Sequence, residues 1–440
     1  MIRSLALSLV LLAAAPTARA AEKEEGFTDL FNGKDLSGWI PAQTGPTTWT
    51  VKDNMIICSG KPTGVMATEK MYENFILELE WRHMRPGGNS GVFIWADPIT
   101  SRGVPFSRGI EIQVLDGPGG DWYTTHGDVF PIHGATMKPD NPGKSGQRSY
   151  PTEKRSNMSP GWNHYRIVAN NGVVELSVNG KMVTSGRECS PRKGYICLES
   201  EGGLVHFKNI RIKELPASKE ALKPEHIARP HEGFKSIYNG ENLDGWVKDE
   251  KNAGHWKVND WTLDYDGKGT DLWTEKEYGD FVMIADWRFS GKPVKAMRPV
   301  ILPSGDVAKD ADGKDKMVEV DDAGDSGIYL RGSSKSQVNI WNWPVGSGEV
   351  YGYRTDASQS AEVRAGVTPK EKADVKIGGW NRFIITMKGD RLTVNLNGKT
   401  VIENAQLPGV AKRGKIALQN HGDPIQFANV YVKELEEKKE

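Results

Sequence analysis

Along most of the chain, apolar and polar positions alternate with a period of two. In "FILELEWR" (75–82), Phe75, Leu77, Leu79 and Trp81 fall on one side, and Ile76, Glu78, Glu80 and Arg82 on the other. Strand side chains point alternately to opposite faces, so this is a strand with one face turned inward. "RGIEIQVLDG" (108–117) repeats the pattern: Ile110, Ile112 and Val114 share an apolar face, while Glu111, Gln113 and Leu115 share a partly polar one. "VVELSVNGKMV" (173–183) reads as a hairpin about Asn179-Gly180, matched later by Asn397-Gly398, a dipeptide suited to two-residue turns with positive φ. No segment keeps a helical period over three turns. Short alternating strands punctuated by Gly, Asn and Asp predict an all-β chain built as sandwiches or jelly rolls.

The pattern occurs twice. "GFTDLFNGKDLSGW" (26–39) returns as "GFKSIYNGENLDGW" (233–246), "YENFILELEWR" (72–82) as "YGDFVMIADWR" (278–288), and "GGNSGVFIW" (87–95) as "AGDSGIYLR" (323–331). Further on, "GWNHYRIVANNGVVELSVNG" returns as "GWNRFIITMKGDRLTVNLNG", and "FKNIRIKEL" as "FANVYVKEL". A period near 200 residues is too long for a solenoid, so each copy is expected to be a complete domain. Residues 26–215 form copy one and 233–435 copy two. The Pro-containing segment 216–232 is a linker with one helical turn. Copy two carries about 30 extra residues before its "DSG", and copy one has longer loops around 96–109 and 128–160. Each copy is expected to fold alone.

Composition narrows the class. With 440 residues, 38% hydrophobic and 26% charged, the chain can form two cores and is not of disordered type. Its formal charge is zero, which gives no footprint for nucleic acid or an anionic membrane. Residues 1–20, "MIRSLALSLVLLAAAPTARA", have the basic start, apolar run and small-residue ending of a secretory signal peptide, which predicts a periplasmic or secreted protein. No other run approaches the roughly 18 apolar residues of a transmembrane helix. Cys58, Cys189 and Cys197 are the three cysteines. Cys189 and Cys197 flank a turn and could close a hairpin disulfide, but buried thiols are the favoured reading because a domain of this size needs no staple. None of the three has zinc spacing.

Several short motifs carry little. "GDSG" (324–327) resembles a protease nucleophile loop, yet copy one has "GNSG" there, and Ser90 and Ser326 read as turn residues entering a strand. "GKS" (143–145) lacks the first glycine of a phosphate loop. "DADGKD" (310–315) holds only part of a calcium loop and reads as a solvated loop. Glycosidases use two carboxyl groups; on the Glu111 face the next alternate residues are Gln113 and Leu115, so this strand offers one acid and two-acid hydrolysis is disfavoured.

The ordered set "GFxxLFNGKDLSGW", "FxLExxWR", "NSGVF", "GIEIQVLD", "GWN" and "FKNIRIKEL" resembles the 3-keto-disaccharide hydrolase domain family, over nearly the whole chain, twice. The resemblance implies two tandem concanavalin-like jelly-roll β-sandwiches and cleavage of glycosides already oxidised to a ketone at C3. Such a ketone acidifies the C2 hydrogen, so one base can start elimination of the C1 substituent, with water adding later. Glu111 is the first candidate base and His133, in "FPIHGATMKP", the second. Glu80, Arg82, Gln113, Asp116 and Trp95 are candidates for substrate binding, Glu80 and Arg82 with a cross-strand salt bridge as the plain alternative. A divalent ion, Ca²⁺, Mg²⁺ or Mn²⁺, would suit oxygen ligands with one imidazole, although no metal is established. In copy two "SQVNIWNWP" replaces "GIEIQVLDG", and Gln337 stands for Glu111. Copy two is therefore expected to have lost catalysis and to contact glycan through Arg331, Asn339, Trp341 and Tyr353. The alternative for the whole chain is a glycan-binding protein without catalysis. Carbohydrate is the expected partner; oligomeric state is not readable.

Overall fold

A computed structural model describes residues 25–229 and 231–436; the signal peptide expected over 1–20 lies outside them. The described chain is all-β apart from two short helices, Tyr351–Arg354 and Ala361–Gly366, and two single 3₁₀ turns. One of those turns, Pro224–His226, is the helical turn expected between the copies.

Copy one is a sandwich of antiparallel sheets. Nine strands form one sheet, with Phe75–His83 between Asn163–Asn170 and Val205–Glu214. Six form the other, in the order Trp39–Ala42, Gly64–Thr68, Tyr195–Ser200, Gly91–Ala96, Gly109–Gln113, Val129–Ile132. The alternation assigns the faces as the sequence predicts. Phe75, Leu77, Leu79 and Trp81 from the first sheet meet Val92, Ile94, Ile110 and Ile112 from the second in one core. Each fully buried side chain of this size contributes about 1.5–3 kcal/mol, so the hydrophobic faces fix the register.

Copy two repeats the plan with an eight-stranded sheet and a four-stranded one, the latter in the order Leu272–Tyr278, Gly414–Leu418, Asp325–Leu330, Ser333–Trp341. Its extra residues form a separate hairpin, Val294–Pro299 with Met317–Asp322. "DADGKD" is the tip of that hairpin, where Asp310 accepts from the amides of Asp312 and Lys314 and so serves its own turn.

A third core joins the copies. The outer face of the six-stranded sheet, with Val65, Ala67, Phe93, Tyr195 and Cys197, packs against Ile284 and Tyr431 on the outer face of the eight-stranded sheet, with Ile384 alongside. The repeat explains why this face is apolar only in copy two. Ile284, Ile384 and Tyr431 occupy the places of Glu78, Arg166 and Arg211, and in copy one these three form an exposed-face ion cluster in which Arg211 donates to Glu78 at 2.6 Å. Polar contacts seal the joint. The longer copy-one loop after strand Gly91–Ala96 lies on copy two: the Gly103 amide and Arg382 both donate to Asp286, and Asn429 donates to the carbonyls of Ser101 and Val104. Gly103 has φ +69°, and a Cβ there would stand 2.5 Å from Trp380. The expectation that each copy folds alone meets an interface that would leave Phe93, Tyr195 and Ile284 in water.

All three cysteines are buried free thiols. Burial pushes Cys58 up to about 11 and Cys189 up to about 12, and Cys197 also rises. Because the thiolate is the reactive form, iodoacetamide at pH 8 is expected to leave the native protein unmodified and to label all three sites after unfolding without reductant. Mass spectrometry reads both; two blocked sites after unfolding would mean a Cys189–Cys197 bridge.

Candidate active site

The outer face of the six-stranded sheet holds a carboxylate cluster centred on a glycine. Strand Gly91–Ala96 lies between Gly109–Gln113, which carries Glu111, and Tyr195–Ser200, which carries Glu199. Gly91 lacks the side chain that would separate them. Glu111 Oε1 and Glu199 Oε2 are each 3.0 Å from the point where a Gly91 Cβ would lie, so the two oxygens are no more than twice that distance apart. This explains the glycine of "NSG": a methyl group there would meet both carboxyl groups. Glu111 is only 7% exposed and Glu199 2%. On the face itself, Glu111 sits between its cross-strand neighbours Phe93 and Phe130.

Polar side chains extend the cluster. Glu201, just past the strand, accepts from Asn89; Asn89 accepts from Gln113 Nε2 at 2.8 Å, and Gln113 Oε1 accepts from Arg148 at 2.8 Å. Arg148 also pairs with the buried Asp128 at 3.1 Å, and its guanidinium lies over Phe130 at 3.4 Å and Trp122 at 5.0 Å. Trp122 is 56% exposed, an aromatic surface beside Arg148.

The electrostatics favour retained protons. Burial, then the neighbouring Glu201 charge, raises the Glu111 pKa, against the pull of Arg148. Burial and the charges of Glu111 and Glu201 push Glu199 well above the carboxylate range, and burial raises Glu201. Carboxyl groups this close and this dry titrate as a set, with one ionising while its neighbour keeps its proton. The site can therefore hold a carboxylate base beside a carboxylic acid.

Of the residues singled out in the sequence, Glu111 and Gln113 are in this cluster. The others are elsewhere, each for a physical reason. Glu80 and Arg82 alternate with core residues and so lie on the outer face of the opposite sheet, where Glu80 pairs with Lys208 and accepts from Asn209, and Arg82 contacts His206 and Trp162. The cross-strand salt bridge is found for Glu80, with Lys208 as its partner, whereas Arg82 meets an imidazole and an indole ring instead of a carboxylate. Asp116 follows Ile112 and Val114 on the inward side; it is 1% exposed and accepts from the Ser159 amide. Trp95 takes a left-handed backbone, φ 52°, which turns it off the face into the core, where it donates to the Glu73 carbonyl and meets Phe75 edge-on. Arg331 repeats that conformation and is equally buried, holding the carbonyls of Gly279, Gly389 and Ala411 and the Asp280 carboxylate. Ser90 and Ser326 donate to the backbone of Glu199 and Gln419 and are structural.

His133 lies three residues beyond Phe130, the partner of Glu111, about 10 Å along the strand. It stacks on Phe106 and faces a cavity of about 490 Å³ between the copies, with Arg102, Arg229, His231 and Arg382. Burial lowers its pKa, which favours the neutral ring. Among the described residues, no group of three or more His, Cys, Asp or Glu side chains is arranged to hold a metal ion.

Sequence reasoning missed Glu199, Glu201, Arg148 and Trp122. A signal for the first was present: "ICLES" returns as "IALQN", so Glu199 becomes Gln419 just as Glu111 becomes Gln337. Two acids changing together to amides marks a pair. Arg148 sits in the "GKSGQRS" loop, and Trp122 in a loop that is shorter in the other copy.

In copy two the corresponding face has a cavity of about 350 Å³ lined by Asp325, Gln337, Asn339, Trp341, Trp343, Tyr351, Gln419 and His421. Asn339 and Trp341 thus line it as expected. Tyr353 does not: it is in the core, donating to the Pro408 carbonyl.

Comparison with known proteins agrees with the tandem reading. The family model described as a 3-keto-alpha-glucoside-1,2-lyase-like domain matches residues 26–213 and again 233–433. A 3-keto-disaccharide hydrolase of Bacteroides thetaiotaomicron is 24% identical over 234 residues, covering 43% of this chain and 79% of its own. Among solved structures, a candidate glycosyl hydrolase from Parabacteroides distasonis is 26% identical, covers 44% of this chain and 95% of its own, and superposes with a TM-score of 0.35. A carbohydrate-binding module from Bacillus subtilis is 12% identical, covering 40% of this chain and 96% of its own, with a TM-score of 0.30.

Proposed function

The chain belongs in both halves to the family of 3-keto-alpha-glucoside-1,2-lyase-like domains, and from this premise we propose that it is an exported enzyme that cleaves 3-keto-glycosides at the carboxylate cluster of copy one. The observation that carries the reading is the pair of buried carboxyl groups, Glu111 and Glu199, facing each other across Gly91. In a 3-keto-glycoside the C2–H bond is weakened by the adjacent ketone. Ionised Glu111 takes that proton, the electron pair forms C1=C2, and the C1–O bond breaks. Protonated Glu199 gives its proton to the departing oxygen. Addition of water across C1=C2 then returns the 3-keto sugar. Each carboxyl group has one role, set by which of the two holds the shared proton.

A pH dependence follows. Since burial raises the Glu111 pKa, its base form is populated only above the usual carboxylate range, near 4.3. The kcat/KM for a 3-keto-glucoside is expected to rise with pH through that displaced ionisation. A profile already flat from pH 5 upward would place the base on a different group.

Aglycone release from a chromogenic 3-keto-glucoside, against the same glucoside unoxidised, tests the activity itself. Release from the oxidised substrate alone is the expected result. N-terminal sequencing of protein from the native host tests export: the mature chain should begin at Ala21.

A further inference from the structure

We propose that copy two carries a second carbohydrate site of its own, a non-catalytic groove for a neutral oligosaccharide of at least two residues. The groove rests on four changes relative to copy one. Both acids of the catalytic pair are amides, Gln337 and Gln419, and Gln337 Nε2 donates to Gln419 Oε1 at 2.5 Å, so this pair offers polarity without charge. Leu115 and Gly117 of copy one are replaced by Trp341 and Trp343, whose rings stack in parallel at 4.1 Å. Tyr351, 44% exposed, adds a third aromatic edge. The fourth change is the insertion: hairpin Val294–Pro299 with Met317–Asp322 builds a second cavity of about 380 Å³, lined by Val294, Arg298 and Asp322.

The two cavities share Asp325, Trp343 and His421, so they adjoin across one tryptophan. Clefts of a few hundred Å³ with apolar walls and a few aimed polar groups are ordinary ligand sites. Here two of the acceptors are unsatisfied. Asn339 is 3% exposed and its Oδ1 has no partner, and Asp325 Oδ1 is likewise buried without one. Buried acceptors left unpaired cost free energy, and sugar hydroxyl groups supply donors of the right kind. Trp341 is 2% exposed and stacked against Trp343, so Trp343 and Tyr351 supply the aromatic surface for the C–H faces of the rings. Copy one docks on the eight-stranded sheet, which leaves this four-stranded face open.

The proposal rests on the carbohydrate reading above for its ligand class, and its test is separable because it uses unoxidised sugars. The full chain carrying Glu111→Gln is titrated with glucose, trehalose, maltose, cellobiose and sucrose, followed by tryptophan fluorescence and calorimetry. At least one disaccharide should bind one to one, more tightly than glucose. In that background Trp343→Ala should weaken binding about tenfold or more, as buried aromatic anchors do. Asn339→Leu, close in size and without the acceptor, should weaken it as well, with near-ultraviolet circular dichroism confirming the fold. Absence of binding to every disaccharide at tens of millimolar, or binding that neither substitution weakens, would overturn the proposal. Failure of the aglycone-release assay, by contrast, would leave these titrations as they are.

Discussion

Glu111→Gln is expected to lower turnover of a 3-keto-glycoside by about 10²-fold or more, the usual scale for loss of a general base, while substrate binding changes far less. The substitution keeps shape and hydrogen-bond reach and removes only the capacity to take a proton. Copy two shows that the fold accepts it: Gln337 fills the same place, satisfied by Gln419 and the Ser326 carbonyl. In the variant the new amide has the Glu199 carboxyl as partner. Glu199→Gln should also cost activity, and most on substrates with a poor leaving group, where the proton it supplies matters most. Stability should move the other way with pH. A carboxyl group raised in the folded state contributes stability that is present below its unfolded pKa and lost as pH rises through the folded one. Wild type should therefore lose stability on going from pH 5 to pH 9 more than Glu111→Gln does, read by thermal melts across that range.

The second large effect concerns the joint between the copies. Ile284→Glu restores the residue that copy one has at Glu78 but without the two arginines, because Ile384 and Tyr431 stand where Arg166 and Arg211 would be. Ile284 is fully buried against copy one. The substitution removes the apolar contact with copy one and buries a carboxyl group beside the cavity that Arg102, Arg229 and Arg382 also line; the lost apolar burial alone should cost about 1.5–3 kcal/mol, seen as a lower denaturant midpoint or as separate melting of the two halves. By the same reasoning residues 21–220 expressed alone should be markedly less stable than the full chain. A cooperative melt of that fragment at the temperature of the intact protein would show that the third core is dispensable.

Alternation of side chains made the sheets, their inward faces and the duplication legible, since a period of two is written directly in residues 75–82 and 110–114. Alternation also placed Glu111 and Gln113 on one face. It could not say which strand lies beside theirs. Glu199 is 88 residues away in sequence, and only the sheet order, with Gly91 between, brings it to Glu111. For that reason the second acid, absent from the strand, was present in the site. Glu80 and Arg82 show the converse: they alternate with Leu79 and Trp81, so their own strand turns them away from the cluster. Trp95 and Arg331 broke the rule through a left-handed residue, which alternation does not announce. The joint between copies was legible only by comparing them, as the change of Glu78, Arg166 and Arg211 to Ile284, Ile384 and Tyr431.

The most direct test of the catalytic account is to run the reaction in D₂O and examine the released sugar by mass spectrometry and NMR. If Glu111 removes the C2 hydrogen and water later adds across C1=C2, the 3-keto sugar freed by the wild-type protein carries one deuterium at C2, and Glu111→Gln forms it at least about 10²-fold more slowly. Aglycone released at the normal rate with hydrogen kept at C2 would contradict proton abstraction and make Glu111 and Glu199 a pair that acts directly at C1. Normal deuterium incorporation by Glu111→Gln, lost instead in His133→Ala, would move the base to the imidazole in the cavity between the copies.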